Sequence, residues 1–384
     1  MMHRRTLLQI LGSVAIAGVP RLGVSAQPRR IVVAGGGVIG ANIAYQLSRR
    51  GTAVTLLERN KPAMGATANS FAWLNAKKRP RDYFNLSQLG LLAWREIDRE
   101  FGGRLPVKWG GGIEWRTDAE QAPMMRDQIR SFQAWGYDVH DIDAAGIKAI
   151  EPNLTTGPVS VAGHWRDEGH ADPVGVTQVI LDQAVRQGVT VHFPAEVTGL
   201  DIRDGRLRAV RSSRGDIETD VLVIACGNDT PRVAAMANVV VPMQGDSPGV
   251  LAHVVPQKRV VERVVLSPVG NIKQKPDGRI VVGSDFGQAT DNSREAAKAI
   301  LSKASAVVPG LDTMEIEKVT LGYRPIPRDG RPIVGFPAGR SDVYIAVMHS
   351  GMTLGPLVGR LAAIEILDGV SVDPLAQYRL ERFK

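Results

Sequence analysis

The apolar positions of this chain alternate between two periods, and the first change of period falls at its first glycine cluster. Arg30-Ile31-Val32-Val33-Ala34 is a short β-branched run without polar alternation, the pattern of a strand buried on both faces of a parallel sheet. It runs straight into Gly35-Gly36-Gly37-Val38-Ile39-Gly40 and then into Ala41-Asn42-Ile43-Ala44-Tyr45-Gln46-Leu47, where the apolar spacing is helical. Gly51 closes that helix, and Ala53-Val54-Thr55-Leu56-Leu57-Glu58 predicts a second strand ending on an acid. Helical spacing returns over residues 86–101 and 173–187, and the latter leads to the strand Val189-Thr190-Val191-His192-Phe193. Gly110-Gly111-Gly112-Ile113-Glu114-Trp115 reads as a turn into a strand. Between about 240 and 320, β-branched runs alternate with turns such as Pro276-Asp277-Gly278, and Arg279-Ile280-Val281-Val282-Gly283 is the clearest strand. The last apolar strand, Val343-Tyr344-Ile345-Ala346-Val347, precedes His349-Ser350-Gly351-Met352-Thr353-Leu354-Gly355-Pro356, which opens a helix to about Leu367. No internal repeat and no low-complexity tract interrupts this order.

The strand–glycine–helix–strand unit predicts a dinucleotide site. Gly35 permits the tight turn, Gly37 lets the backbone approach a pyrophosphate at the helix N-terminus, and Gly40 allows close helix–strand packing. Glu58 stands where an acid hydrogen-bonds ribose hydroxyls and repels a 2′-phosphate. Three stacked glycines with no ligand to serve destabilise a fold, so a purely structural turn is the poorer reading.

The first 26 residues read as an address. Arg4 and Arg5 precede a short apolar stretch to Val19, and Val24-Ser25-Ala26 supplies small residues for cleavage. Adjacent arginines before the apolar core predict a twin-arginine type of export signal and a periplasmic protein. The core is too short, and too rich in Gly and Ala, for a good membrane span. Loss of this segment removes three of the net +8 charges, leaving a mildly basic surface that favours an anionic substrate modestly. Basic residues form no long run, which argues against a nucleic-acid partner. A single cysteine, Cys226, excludes an internal disulfide, and the seven scattered histidines suggest no metal site.

The glycine turn alone does not choose between FAD and NAD. Gly65-Ala66-Thr67 and its small, hydroxyl-rich surroundings just after the acid-bearing strand suit a close-fitting flavin. Taken with Ala225-Cys226-Gly227, Gly322-Tyr323-Arg324-Pro325 and the His349–Pro356 block, the chain resembles the FAD-dependent D-amino-acid oxidase superfamily from about residue 30 to about 370. That group includes glycine and sarcosine oxidases and D-amino-acid dehydrogenases. Glu168-Gly169-His170-Ala171-Asp172-Pro173 looks like the family's turn before the central helix. Pro242-Met243-Gln244-Gly245-Asp246 departs from the family's usual Pro-x-Arg-Gly-Gln, which puts the local contacts there in question.

The resemblance implies an α/β fold: a Rossmann-like FAD-binding domain from residues 30–75, 151–235 and 321–375, and an antiparallel-sheet substrate domain from 76–150 and 236–320. It implies that FAD contacts Gly35, Gly37, Val38, Ile39, Gly40, Glu58, Arg59, Ala66, Thr67, Val197, Gly227, Gly351, Met352, Thr353 and Leu354. It further implies that Arg324 grips a substrate carboxylate, since a guanidinium fork binds carboxylates bidentately. The alternative is a structural arginine tied to backbone carbonyls. His349 is expected at flavin or substrate, Tyr323 in the core, and Lys77, Lys78, Arg79, Arg81 and Tyr83 on a solvated face, with a substrate-facing role for one of these five as the alternative. Gly322 stands where relatives carry a flavin-linking cysteine, so noncovalent FAD is expected. The expected reaction is oxidation of the C–N bond of a small amino acid or amine by hydride transfer to flavin; the alternative is a flavoprotein without amine turnover. Oxygen or a quinone-type carrier takes the electrons, and no stable membrane insertion is expected.

Overall fold

The computed structural model describes residues 29–78, 80–283 and 289–383, so the expected export segment, residues 1–26, lies outside the described residues. Arg30–Ala34 lies within a six-stranded sheet whose order is Ile333–Gly335, Val343–Val347, Val221–Ile224, Arg30–Ala34, Ala53–Leu57, Thr190–His192. The strands are parallel except Ile333–Gly335, which pairs antiparallel at one edge. Alternation along Arg30–Ala34 feeds two cores. Ile31 and Val33 pack with the helices Val38–Ser48, Pro173–Arg186 and Gly351–Asp368, while Val32 and Ala34 pack on the other face with Leu207, Val210 and Val233. Burial on both faces is why the strand carries no polar alternation.

A second sheet of eight strands is largely antiparallel, in the order Ile316–Tyr323, Pro248–Val254, Ile280–Gly283, Gly270–Gln274, Val264–Ser267, Gly112–Arg116, Val161–Trp165, Val139–Ile142. One face packs Ile113, Trp115, Val265, Ile272 and Val282 with Ala297 and Leu301 of the helix Arg294–Ala304. In register on the other face runs a row across the strands: Glu114, Leu266, Asn271, Gly283, Leu251, Thr320. That row is the floor on which the site is built.

The two layers exchange elements along the chain. Val161–Trp165 falls within 151–235 yet pairs with Gly112–Arg116 and Val139–Ile142 in the larger sheet. The helix Arg81–Glu100, within 76–150, packs against Gly351–Asp368, where Trp94 Nε1 donates to Met352 O at 2.6 Å. This helix starts five residues earlier than the 86–101 expectation, because Tyr83 and Phe84 already share its buried face. Pro173 opens its helix at the first turn, as proline's fixed φ allows. The segment Pro242-Met243-Gln244 lies beside 326–328, with Gln244 N donating to Ile326 O at 2.8 Å. Among the described residues no helix is long and apolar enough to cross a membrane.

Candidate active site

The glycine turn is built around close approach. Gly35 has φ +106°, a left-handed conformation that favours glycine, and a Cβ there would overlap Ala225 O. A Cβ on Gly40 would overlap Gly35 O, so only glycine lets the helix start this close to the strand. Gly37 lies against Thr67, whose Oγ1 would stand 3.1 Å from an added Cβ and accepts from Val38 N at 3.1 Å. The helix that begins at Val38 has no acid in its first turn, so its positive end is left to an external anion. This cradle fits a dinucleotide pyrophosphate.

Glu58 is held rigidly beside the turn. Its Oε2 accepts from Gly36 N at 2.8 Å and its Oε1 from Asn60 N at 2.9 Å. Beyond it, Arg59 pairs with Asp229, and Arg232 reaches Glu196 at 3.1 Å. Val197 and Gly227 border this end.

The opposite end is set by the last helix. Gly351–Asp368 begins beside His349 and Ser350, and Tyr83 donates to Ser350 Oγ at 2.9 Å. Asn75 N donates to Thr353 Oγ1 at 3.3 Å, tying the small-residue segment to the helix start. Burial, then the nearby Lys78 and Arg324 charges, push the His349 pKa down to about 4, so its imidazole is neutral at pH 7. Arg324 follows the strand Ile316–Tyr323 and lies over Gly249 of the neighbouring strand. Its Nη1 donates to the Pro248 carbonyl and, at 3.4 Å, to that of Ser247. Burial lowers the guanidinium pKa. The backbone tie anticipated as the alternative for this arginine is present, and the same residue still faces the cavity.

One cavity of about 330 Å³ joins both ends. Its wall includes Gly35, Gly37, Val38, Ile39, Glu58, Arg59, Ala66, Thr67, Val197, Gly227, Arg324, His349, Gly351, Met352 and Thr353. Gly40 and Leu354 are not in the wall. Gly40 acts behind it by packing on Gly35, and Leu354 is fully buried in the core. Tyr323 corrects the core expectation: it is 42% exposed and lines the cavity, because strand alternation turns Gly322 rather than Tyr323 inward. Gly322 faces Asn69, whose Cβ would stand 2.6 Å from an added Cβ. Cys226 also borders the cavity, but its Sγ donates to Ala34 O at 3.3 Å and burial pushes its pKa up to about 12.

Several wall residues gave no usable signal in the sequence. Phe71, Trp73, Gly249 and Asn271 all line the cavity. Lys77 and Lys78 depart from the solvated face expected by default, and Lys78, in the cavity wall, takes the place that the alternative left open for one of the group. Lys77 pairs with Glu114 and stands 3.6 Å from the centroid of the Trp165 ring. The charges of both lysines act on Glu168, which accepts from Trp73 Nε1 at 2.8 Å and Tyr137 OH at 2.9 Å, and whose pKa burial raises to about 7. A long lysine stem leaves either location open to a sequence reading, and only the fold around Trp165 and Glu168 decides it.

Comparison with known proteins agrees with this geometry. The family model described as FAD dependent oxidoreductase (DAO) matches residues 30–364. The chain is 24% identical to a glycine oxidase of Bacillus licheniformis over 92% of this chain and 96% of that protein. In fold it is similar to L-proline dehydrogenase from P. horikoshii, with a TM-score of 0.84, 24% identity and coverage of 93% and 98% of the two chains. A glycine oxidase from Bacillus cereus ATCC 14579 superposes with a TM-score of 0.81 at 20% identity, covering 92% and 98%. An uncapped glycine turn, an acid fixed beside it and a matching family model along nearly the whole described chain lead to one conclusion: the protein belongs to the FAD dependent oxidoreductase (DAO) family and is an FAD-dependent enzyme.

Proposed function

We propose that the protein oxidises the C–N bond of a small amino acid or N-methyl amino acid. The observation that carries this reading is that Arg324 and the glycine turn line the same cavity. Bound FAD supplies the acceptor for the hydride that leaves the α-carbon, giving an imine that water hydrolyses.

The protein's part is positioning. Arg324, fixed through Nη1 to the Ser247 and Pro248 carbonyls, takes the substrate carboxylate and sets the α-carbon at the His349 end. His349, neutral at pH 7, offers a hydrogen bond to substrate or flavin without adding charge. The N-terminus of Gly351–Asp368 presents backbone N–H groups to negative charge on the cofactor. Gly35, Gly37 and Glu58 hold the dinucleotide end, and Arg59 shapes it through Asp229. FAD is held noncovalently, since Gly322 offers no thiol and that of Cys226 stays protonated, donating to Ala34 O. The amino-terminal address makes the protein periplasmic, which favours a quinone-type carrier over oxygen.

Product analysis tests this reading. Turnover of an amino acid should yield an oxo acid together with ammonia or an amine, one per acceptor reduced. Peroxide released in air identifies oxygen as acceptor, and its absence with quinone reduction identifies the carrier. Acid precipitation should release FAD into the supernatant. Flavin remaining on the pellet contradicts noncovalent attachment.

A further inference from the structure

The two ends of the cavity differ in charge. Its carboxylates lie at the dinucleotide end and are already engaged: Glu58 by Gly36 and Asn60, Glu196 by Arg232, Asp229 by Arg59. At the other end the described wall residues are Arg324, Lys78 and the imidazole of His349, with no carboxylate among them.

Lys78 differs from its neighbour in sequence. Lys77 turns to Glu114 and the Trp165 ring. Lys78 has no carboxylate within ion-pair distance among the described residues, and the nearest buried one, Glu168, already accepts from Trp73 and Tyr137. Burial lowers the pKa of the Lys78 ammonium, and the charge of Glu168 opposes that loss only in part. Lys78, Arg324 and His349 line the same cavity, and the charges of both cations lower the His349 pKa. For Lys78, half-buried in the wall, an absent counter-ion is costly, and the cost falls when a ligand brings the anion. A monocarboxylate answers Arg324 alone.

Resting on the amine-oxidising reading above, we propose that Lys78 is a second carboxylate anchor facing Arg324, so that the preferred substrate is a dicarboxylic amino or imino acid. The second carboxylate sits on the side chain or on the N-substituent, and the reacting carbon is held between the two anchors.

The test uses the FAD-loaded protein and inert ligands, so that it does not depend on turnover. Malonate, succinate and glutarate are titrated against acetate, propionate and butyrate, following the flavin absorption band. At least one dicarboxylate should bind about tenfold or more tightly than its monocarboxylate partner, as a second charge-assisted contact predicts. Lys78→Met should remove that preference and Lys78→Arg should retain it, both with FAD content unchanged. Equal binding of the two series, or a preference that survives in Lys78→Met, overturns the proposal. A Lys78→Met protein with a shifted flavin potential and an intact preference assigns the lysine to the cofactor instead and also overturns it. A holoprotein that prefers dicarboxylates but whose flavin no amine reduces leaves this anchor standing and removes the amine-oxidising reading.

Discussion

Gly249 lies directly beneath the guanidinium of Arg324: a Cβ at residue 249 would stand 3.0 Å from Arg324 Cζ and overlap Nη2. The two residues meet because Gly249 is paired with Gly322 across adjacent strands, which brings Arg324 over its neighbour. Side-chain-free backbone under a planar cation holds the fork flat against the sheet. Gly249→Ala should therefore displace the guanidinium and raise KM for an amino-acid substrate about tenfold or more, equivalent to roughly 1.4 kcal/mol of lost binding. Steady-state kinetics with a parallel FAD assay checks this. An unchanged KM means that the arginine's position does not matter.

Removing the cation itself should cost more. Hydrogen bonds to a charged partner contribute about 1.5–3 kcal/mol, so Arg324→Ala should raise KM by roughly 10- to 150-fold. FAD content should be retained, because the glycine turn that would hold the cofactor's diphosphate lies at the far end of the cavity. Loss of FAD in step with activity would make Arg324 a structural residue rather than an anchor.

Glu58 separates the other end. Its carboxylate bridges Gly36 N and Asn60 N, so it fixes both loops around the expected ribose. Glu58→Ala should weaken FAD binding by about tenfold or more, through lost charge-assisted bonds and released loops. Equilibrium dialysis of the apoprotein measures it. The KM of the fully reconstituted variant should stay near that of the parent.

Two histidines predict an acid-labile window. Burial, with Lys78 and Arg324 nearby, holds His349 at about 4; burial, with Lys318, Lys275 and Lys273 nearby, holds His253 at about 4, both below the ordinary 6.5. A depressed folded-state pKa contributes stability that is complete above the unfolded value and is lost as pH falls toward the folded one. Stability should thus fall between about pH 6.5 and pH 4, by at most about 3 kcal/mol for each histidine. Urea unfolding of the holoprotein at a series of pH values reads the slope. His253→Gln keeps a polar group opposite Thr320, 3.0 Å from His253 Nε2 in the parent, and should flatten the slope. An identical slope in that variant assigns the acid lability elsewhere.

The buried pair behind the site is a matter of stability. Lys77 and Glu114 are both largely enclosed, and Glu114 also receives Arg116 at 2.5 Å. Lys77→Met leaves part of a buried carboxylate uncompensated, and loss of one partner in such pairs costs about 3–5 kcal/mol. Thermal unfolding should show a clear drop, and the Lys77→Met, Glu114→Gln double variant should recover part of it. Full retention of stability in the single variant would place Lys77 in solvent.

What the sequence disclosed and what it withheld divide along the range of the contacts. The glycine turn, Glu58 and the final helix were legible because their geometry is local: Gly35 to Glu58 spans one strand–helix–strand unit. Arg324 was legible by its place in a glycine–arginine–proline block, and a backbone tie was the alternative there, though that the carbonyls are those of Ser247 and Pro248 was not legible. Gly249 beneath it, and Asn271 in the row with Gly283 and Leu251, depend on strand register between distant segments. Periodicity carries no register information, so these positions looked like ordinary strand residues. Lys78 was legible only as one of several candidates: adjacent lysines on a polar stretch look alike until the fold sends one to Glu114 and the other to the cavity.

The central claim is that amine oxidation takes place in the cavity shared by the glycine turn and Arg324, and anaerobic spectroscopy addresses it most directly. Purified yellow protein is mixed without oxygen with a panel of D-, L-, N-methyl and dicarboxylic amino acids. The account predicts that at least one bleaches the oxidised flavin band in the parent, and that Arg324→Ala needs a far higher concentration of it. A flavin that stays oxidised against every amine, or bleaching with the same concentration dependence in both proteins, would contradict it.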